Sequence, residues 1–121
     1  MARGAYTFES GMECTHSLLE NPNPPTAIFA SNDEMAVGAI NAAREMGLKV
    51  PDDLSVAGFD DSILASRIMP ALTTIRRPVR EMARLATTKL IAAIDGRHED
   101  AHAGNMLVPE LVTRNSTRSI D

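Results

Sequence analysis

The stretch Pro24-Pro25-Thr26-Ala27-Ile28-Phe29-Ala30-Ser31-Asn32-Asp33 constrains the fold more than any other part of the chain. Two prolines fix a stiff turn. A short apolar run follows, and a polar tip closes it directly before a helical pattern from Glu34 to Met46. An apolar run bounded in this way reads as a buried strand, Thr26 to Ala30, that delivers Ser31, Asn32 and Asp33 into a helix N-terminus. Ser31 and Glu34 stand at capping-box spacing, so the tip is expected to be held by its own backbone bonds. Asn32 then lies at the carboxyl end of a strand, where open α/β sheets bind their ligands.

The helix carries Ala36, Ala39, Ile40 and Ala43 on one stripe. These are mostly small residues, which suit a helix lying close on a sheet. Gly47 is placed as its C-terminal cap. Leu54 to Phe59 is a second apolar run, and it too ends in polar residues, Asp60, Asp61 and Ser62. Strand, helix and strand make one βαβ unit, whose right-handed crossover leaves the two strands parallel. Asn32 and Asp60 therefore emerge at the same sheet edge and converge on one crevice. Capping and turn formation suit Asn and Asp equally well, and the residues alone favour neither role. Neighbouring residues of an extended segment point opposite ways. One carboxylate of the Asp60-Asp61 pair is thus expected in the crevice and the other as a local cap for a short helix, Ile63 to Ile68.

Elsewhere, Ala5 to Phe8 reads as a strand end and Glu9 to Leu19 as a helix stopped by Asn21-Pro22-Asn23-Pro24-Pro25. Leu72 to Arg76 alternates as a third strand. The Arg76-Arg77 pair after it is either a solvated strand end or a multidentate donor for carboxylates, phosphates or sugar hydroxyls. Val79 to Ile94 is the clearest helix, with Val79, Met82, Ala83, Ala86, Leu90, Ala93 and Ile94 on one stripe and Gly96 ending it. Arg97 to Asn105 reads as polar loop, Met106 to Val108 and Glu110 to Arg114 as extended, and Asn115 to Asp121 as a frayed tail.

Several function classes fall away. A net charge of -4 and 3% aromatic residues argue against a nucleic-acid surface within the 121 residues. No apolar run has the length to span a bilayer, and Met1-Ala2-Arg3-Gly4 shows no signal pattern. The single cysteine, Cys14, cannot form an internal disulfide; it reads as a small buried hydrophobe in a reducing compartment. His98-Glu99-Asp100-Ala101-His102 matches the zinc-protease spacing literally. It follows a helix-ending glycine, however, in a polar loop, and the remaining histidine, His16, sits in the first helix. A solvated loop outweighs a zinc hydrolase there. There is no glycine-rich phosphate loop, nucleophile elbow or Cys/His metal cluster, so no metal, cofactor or catalytic residue is implied and a non-enzyme is expected.

Four segments taken together resemble one family. They are Pro25 to Asp33, Val50 to Asp61 (Val-Pro-Asp-Asp-Leu-Ser-Val-Ala-Gly-Phe-Asp-Asp), Pro70 to Pro78 (Pro-Ala-Leu-Thr-Thr-Ile-Arg-Arg-Pro) and Leu111 to Thr117 (Leu-Val-Thr-Arg-Asn-Ser-Thr). In this order the chain resembles the C-terminal part of a LacI/GalR-family transcriptional regulator. The resemblance implies an α/β fold: a mostly parallel sheet flanked by helices, the incomplete C-terminal lobe of a periplasmic-binding-protein-like effector domain. Residues 1–121 would be part of that domain, with no DNA-binding domain present and the 79–95 helix belonging to the other lobe. It also implies a cytoplasmic dimer that takes a sugar or purine effector between its lobes, and operator DNA only through a missing N-terminal domain. Tyr6, Asn32, Asp60 and Arg77 fall at ligand-facing positions, and Val37, Ile63, Leu64 and Ile68 on the family's dimer face. A fragment of a periplasmic sugar-binding transport receptor is the runner-up, because such receptors share the fold.

Overall fold

The structure is a computed structural model that describes residues 1–97 and 106–120. The elements run α1 (Phe8–Leu19), β1 (Ala27–Phe29), α2 (Asp33–Glu45), β2 (Ser55–Asp60), α3 (Ile63–Arg67), β3 (Thr73–Arg76), α4 (Val79–Ile94) and β4 (Glu110–Val112). The four strands form one open sheet in the order β1-β2-β3-β4. β1 pairs parallel with β2, and β2 parallel with β3, with Phe29 opposite Ala57 and Asp60 opposite Arg76. The strand-helix-strand unit is thus a parallel crossover, as the polar-tipped apolar runs require.

Two compact units are present. The first comprises Met1–Arg76 and the chain from Leu111 onward; the second is Arg77–Glu110.

The core of the first unit is α2 laid on β2. Ala36, Ala39, Ile40 and Ala43 are all buried, against Val56, Leu54 and Leu72. Along β2 the buried residues are Val56 and Gly58, alternating with half-exposed Ser55 and Ala57 as one covered face demands. α1 crosses α2 closely because both contact points are glycines. A Cβ at Gly11 would strike the backbone of Met35, and one at Gly38 would strike the Phe8 carbonyl. Gly47, at φ 79°, ends α2 in a Schellman arrangement: the Leu48 N–H donates to the Ala43 carbonyl at 2.9 Å and the Gly47 N–H to that of Arg44 at 3.0 Å.

Three expectations are corrected. Ala5 to Phe8 is not a strand: Thr7 caps α1 through a capping box with Ser10, and the helix already begins at Phe8. Ser31 is not the cap of α2; Asn32 is, because its Oδ1 reaches the Met35 N–H at 2.9 Å. Asn115 to Arg118, the first part of the expected frayed tail, is held in place. Ser116 is fully buried: its N–H-bearing neighbour Asn115 donates to the Ala71 carbonyl at 2.9 Å, and the Ser116 carbonyl accepts from the Val56 N–H at 2.8 Å.

The second unit is built on α4. Its expected apolar stripe is exposed at Val79, Met82, Leu90 and Ile94, and the buried residue of the helix is Ala92, off that stripe. Within the unit, Met82, Leu85, Ala86 and Lys89 form a groove of about 390 Å3 with Leu107 and Pro109. The His98–His102 motif lies outside the described residues; among those described, no group of three or more His, Cys, Asp or Glu side chains could hold a metal ion.

Candidate functional site

The parallel pairing of β1 with β2 decides where the polar tips go. The Ala30 N–H donates to the Ala57 carbonyl at 2.8 Å, so the ladder continues one residue past β1. Asn32 then follows at the carboxyl end of β1, and Asp60 is the last residue of β2. Both leave the sheet at the same edge.

Asn32 does more than cap. While its Oδ1 holds the start of α2, its Nδ2 donates to the Tyr6 carbonyl at 3.0 Å. Tyr6 has φ 64° and a side chain region that leaves the residue 65% exposed. One amide thus fixes the lead-in to α1 beside the tip of β1, and brings Tyr6 and Asn32 together. A cleft of about 800 Å3 is lined by residues 1–6, by β1 and by side chains that include Cys14, Leu18 and Met35. Tyr6 and Ser31 line it, whereas Asn32 and Asp60 do not. Arg77 is the first residue of the second unit.

The loop after β2 departs from an extended pair. Asp60 and Asp61 have φ of 115° and 53°, both in the region that side chains avoid. The second carboxylate is not a helix cap; Ser62 stands at that position and makes no side-chain cap bond. Asp61 instead lies between two guanidiniums. Its Oδ2 accepts from Arg76 Nε and its Oδ1 from Arg114 Nη2, each at 2.6 Å. The Asp61 side chain is 10% exposed, and burial works to raise its pKa. The hydrogen bonds and charges of Arg114 and Arg76 outweigh that and hold it below the ordinary carboxylate range.

Beneath this loop sits Asp33, a residue the sequence placed only in a helix start. It is 1% exposed. Its Oδ1 accepts from the Thr74 hydroxyl at 2.5 Å and its Oδ2 from the Ser62 N–H at 2.6 Å. Thr74 Oγ1 in turn accepts from the Asp61 N–H at 3.4 Å. Arg114 is anchored as well: Nη1 donates to the Leu72 carbonyl at 2.8 Å, and its N–H donates to Thr73 Oγ1 at 2.9 Å. Asp33, Thr74 and Arg114 thus shape the sheet edge although nothing in their local patterns announces it. Only the adjacency of Asp33 to Asn32 could have drawn attention to one of them.

The expected dimer-face residues are spread over α2, α3 and the residue that follows α3. Ile63 and Leu64 of α3 are 64% and 44% exposed, Val37 of α2 is half-buried, and Ile68 packs at the margin of the core.

Comparison with known proteins agrees with this architecture. The periplasmic binding protein-like domain matches residues 1–117. The transcriptional repressor CytR of Escherichia coli K12 is 44% identical over 99% of this chain and 35% of its own length. The probable repressor ExuR of Bacillus subtilis is 50% identical over 76% of this chain and 28% of its own. The chain thus spans about a third of the length of these relatives. Among solved structures, a LacI-family regulator from Bifidobacterium animalis superposes with a TM-score of 0.89 at 36% identity, covering 96% of this chain and 42% of that one. The lac repressor dimer bound to operator and an anti-inducer superposes at 0.85, also with 36% identity, over 96% and 40%. With a four-stranded, mostly parallel sheet and repressors rather than enzymes as relatives, the chain belongs to the periplasmic binding protein-like domain family and has LacI-family transcriptional regulators as its homologues.

Proposed function

We propose that the chain is the effector-sensing and dimerisation portion of a LacI-family, DNA-binding transcriptional regulator of the cytoplasm. A small molecule, a sugar or a nucleobase, is bound at the sheet edge that carries Asn32 and Asp60 and controls operator binding by the rest of the protein. The observation that carries the reading is the parallel β1–β2 pair, which sets the Asn32 amide and the Asp60 carboxylate at one sheet edge with Tyr6 tied to Asn32. Beyond its bonds to Met35 and Tyr6 the Asn32 amide keeps one N–H and one lone pair, which with a carboxylate can donate to and accept from the hydroxyls of a sugar or the ring edge of a base, and the tyrosine ring supplies an apolar face to stack on. Arg77, the first residue of the second unit, joins the proposal on the family resemblance alone, at a position that often faces the ligand. The exposed Ile63 and Leu64 support a dimer face that also takes in Val37 and Ile68. The exposed stripe of α4 supports its assignment, as residues 79–95, to the partner lobe. DNA is contacted only through a separate N-terminal domain, and the acidic balance of this chain fits that division.

A thermal-shift screen tests the reading. The full-length protein is challenged with D-glucose, D-galactose, D-ribose, adenine, guanine and cytidine. A ligand at about 100 times its Kd stabilises the folded state by about 2.7 kcal/mol and raises Tm by several degrees. The expected result is one responding class, with the response abolished in Asn32→Ala/Asp60→Ala. Silence across the panel, or a response that survives the double substitution, refutes it.

A further inference from the structure

We propose that Asp61 is a positioning residue that holds Asp60 in place, its carboxylate clasping the ligand-side loop to both points where the chain passes between its two units. The proposal rests on the reading of Asp60 as an effector contact. Two successive residues other than glycine with φ of 115° and 53° do not hold such a conformation unaided. The backbone of the loop is held from below, by Thr74 on the Asp61 N–H and by Asp33 on the Ser62 N–H. The carboxylate of Asp61 holds it from the side, between Arg76 and Arg114.

The position of those two arginines along the chain is what gives the clasp a function. Arg76 is the last residue of the first unit before the chain leaves it, and the chain returns at Leu111, three residues before Arg114. Both crossings are therefore tied to the residue beside Asp60. Arg114 cannot swing free as its charge alone would allow. Its head also bonds the Leu72 carbonyl, its own N–H bonds Thr73, and it is 18% exposed. Each arginine holds the Asp61 carboxylate, and so the residue beside Asp60, by a charge-assisted hydrogen bond.

Amide hydrogen exchange on the 121-residue chain tests the clasp without any ligand. Asp61→Gly keeps the backbone conformation permissible while deleting the carboxylate, and Asp61→Asn keeps the shape while deleting the charge. Both are expected to speed exchange at the Asp60–Ser62 amides about tenfold or more relative to the Val56 amide in the same sample. In the full-length protein, Asp61→Asn is expected to weaken binding of the responding member of the sugar and nucleobase panel about tenfold. Ile40→Val, a core change remote from the loop, is expected to lower Tm and leave that affinity unchanged. Unchanged exchange at residues 60–62 in both Asp61 variants overturns the proposal. So does unchanged affinity in Asp61→Asn where the parent protein binds. If the parent binds no member of the panel, the effector reading fails, and the exchange result alone decides the clasp.

Discussion

Ser116→Ala is the sharpest test of how this fold is closed. Residues Ser55 and Ala57 of β2 turn their backbone groups toward β1, where the Ser55 N–H meets the Thr26 carbonyl and the Ala57 carbonyl meets the Ala30 N–H. Val56 turns its groups the other way, below the point where β3 begins opposite Ala57. Ser116 fills that place in the ladder. Its carbonyl accepts from the Val56 N–H at 2.8 Å, its hydroxyl donates to the Val56 carbonyl at 2.6 Å, and the same oxygen accepts from the Thr73 N–H at 2.8 Å. Removing the hydroxyl deprives a buried N–H and a buried C=O of that partner at a residue with no solvent access. Each orphaned group costs about 1–3 kcal/mol, so the substitution is expected to cost about 2–6 kcal/mol. That is a large part of the roughly 5–15 kcal/mol that holds a domain folded. With a urea dependence of about 1–3 kcal/mol per molar, a loss of about 3 kcal/mol lowers the midpoint by about 1–3 M. Urea unfolding followed by far-UV circular dichroism measures it. Thr117→Ala is the control: the Thr117 hydroxyl shares one part-buried bond with Thr73 at 2.8 Å and is expected to cost about 1 kcal/mol. A Ser116→Ala cost below about 0.5 kcal/mol, or one no larger than that of Thr117→Ala, refutes the ladder argument.

A methyl at Gly58 would lie 2.5 Å from Asp33 Oδ1 and 3.0 Å from Leu72 Cδ2. Gly58→Ala is therefore expected to destabilise by about 1–3 kcal/mol in the same urea assay, despite the stiffer unfolded chain. Asp61 has a pKa lowered in the folded state, so its pairing stabilises the fold fully above the ordinary carboxylate range. That stability is lost as pH falls through the folded-state value. Between about pH 5 and pH 2 the parent is expected to lose more stability than Asp61→Asn, with the two converging in acid; parallel curves would exclude the double arginine clasp as its source. Asn32→Ala removes the cap of α2 and the bond to Tyr6, and is expected to cost about 1 kcal/mol, with Asn32→Asp in between. Tyr6 is the only tyrosine and there is no tryptophan, so the intrinsic emission of the chain reports directly on its release.

The chain order of strands and helices could be read from local pattern, because each signal is local. Proline punctuation, the Ala36-Ala39-Ile40-Ala43 stripe and Gly47 act within a few residues of themselves, and a βαβ unit has one favoured hand. The shared edge of Asn32 and Asp60 follows from the parallel direction of the two strands that such a unit joins. Local pattern failed where a residue's partner lies far along the chain. Asn32 and Ser31 are both good caps, and the bond to Tyr6, 26 positions away, accompanies the choice of Asn32. Asp61 suits a helix cap by type, yet its partners are Arg76 and Arg114, 15 and 53 positions on. Asn115 to Arg118 is polar and terminal, the composition of a loose end; it is ordered because the sheet leaves Val56 and Thr73 short of partners and the tail supplies them. Backbone groups that need satisfying have no signature in sequence, since every residue but proline carries them. Which of them lie buried and unmet is a property of the assembled sheet alone.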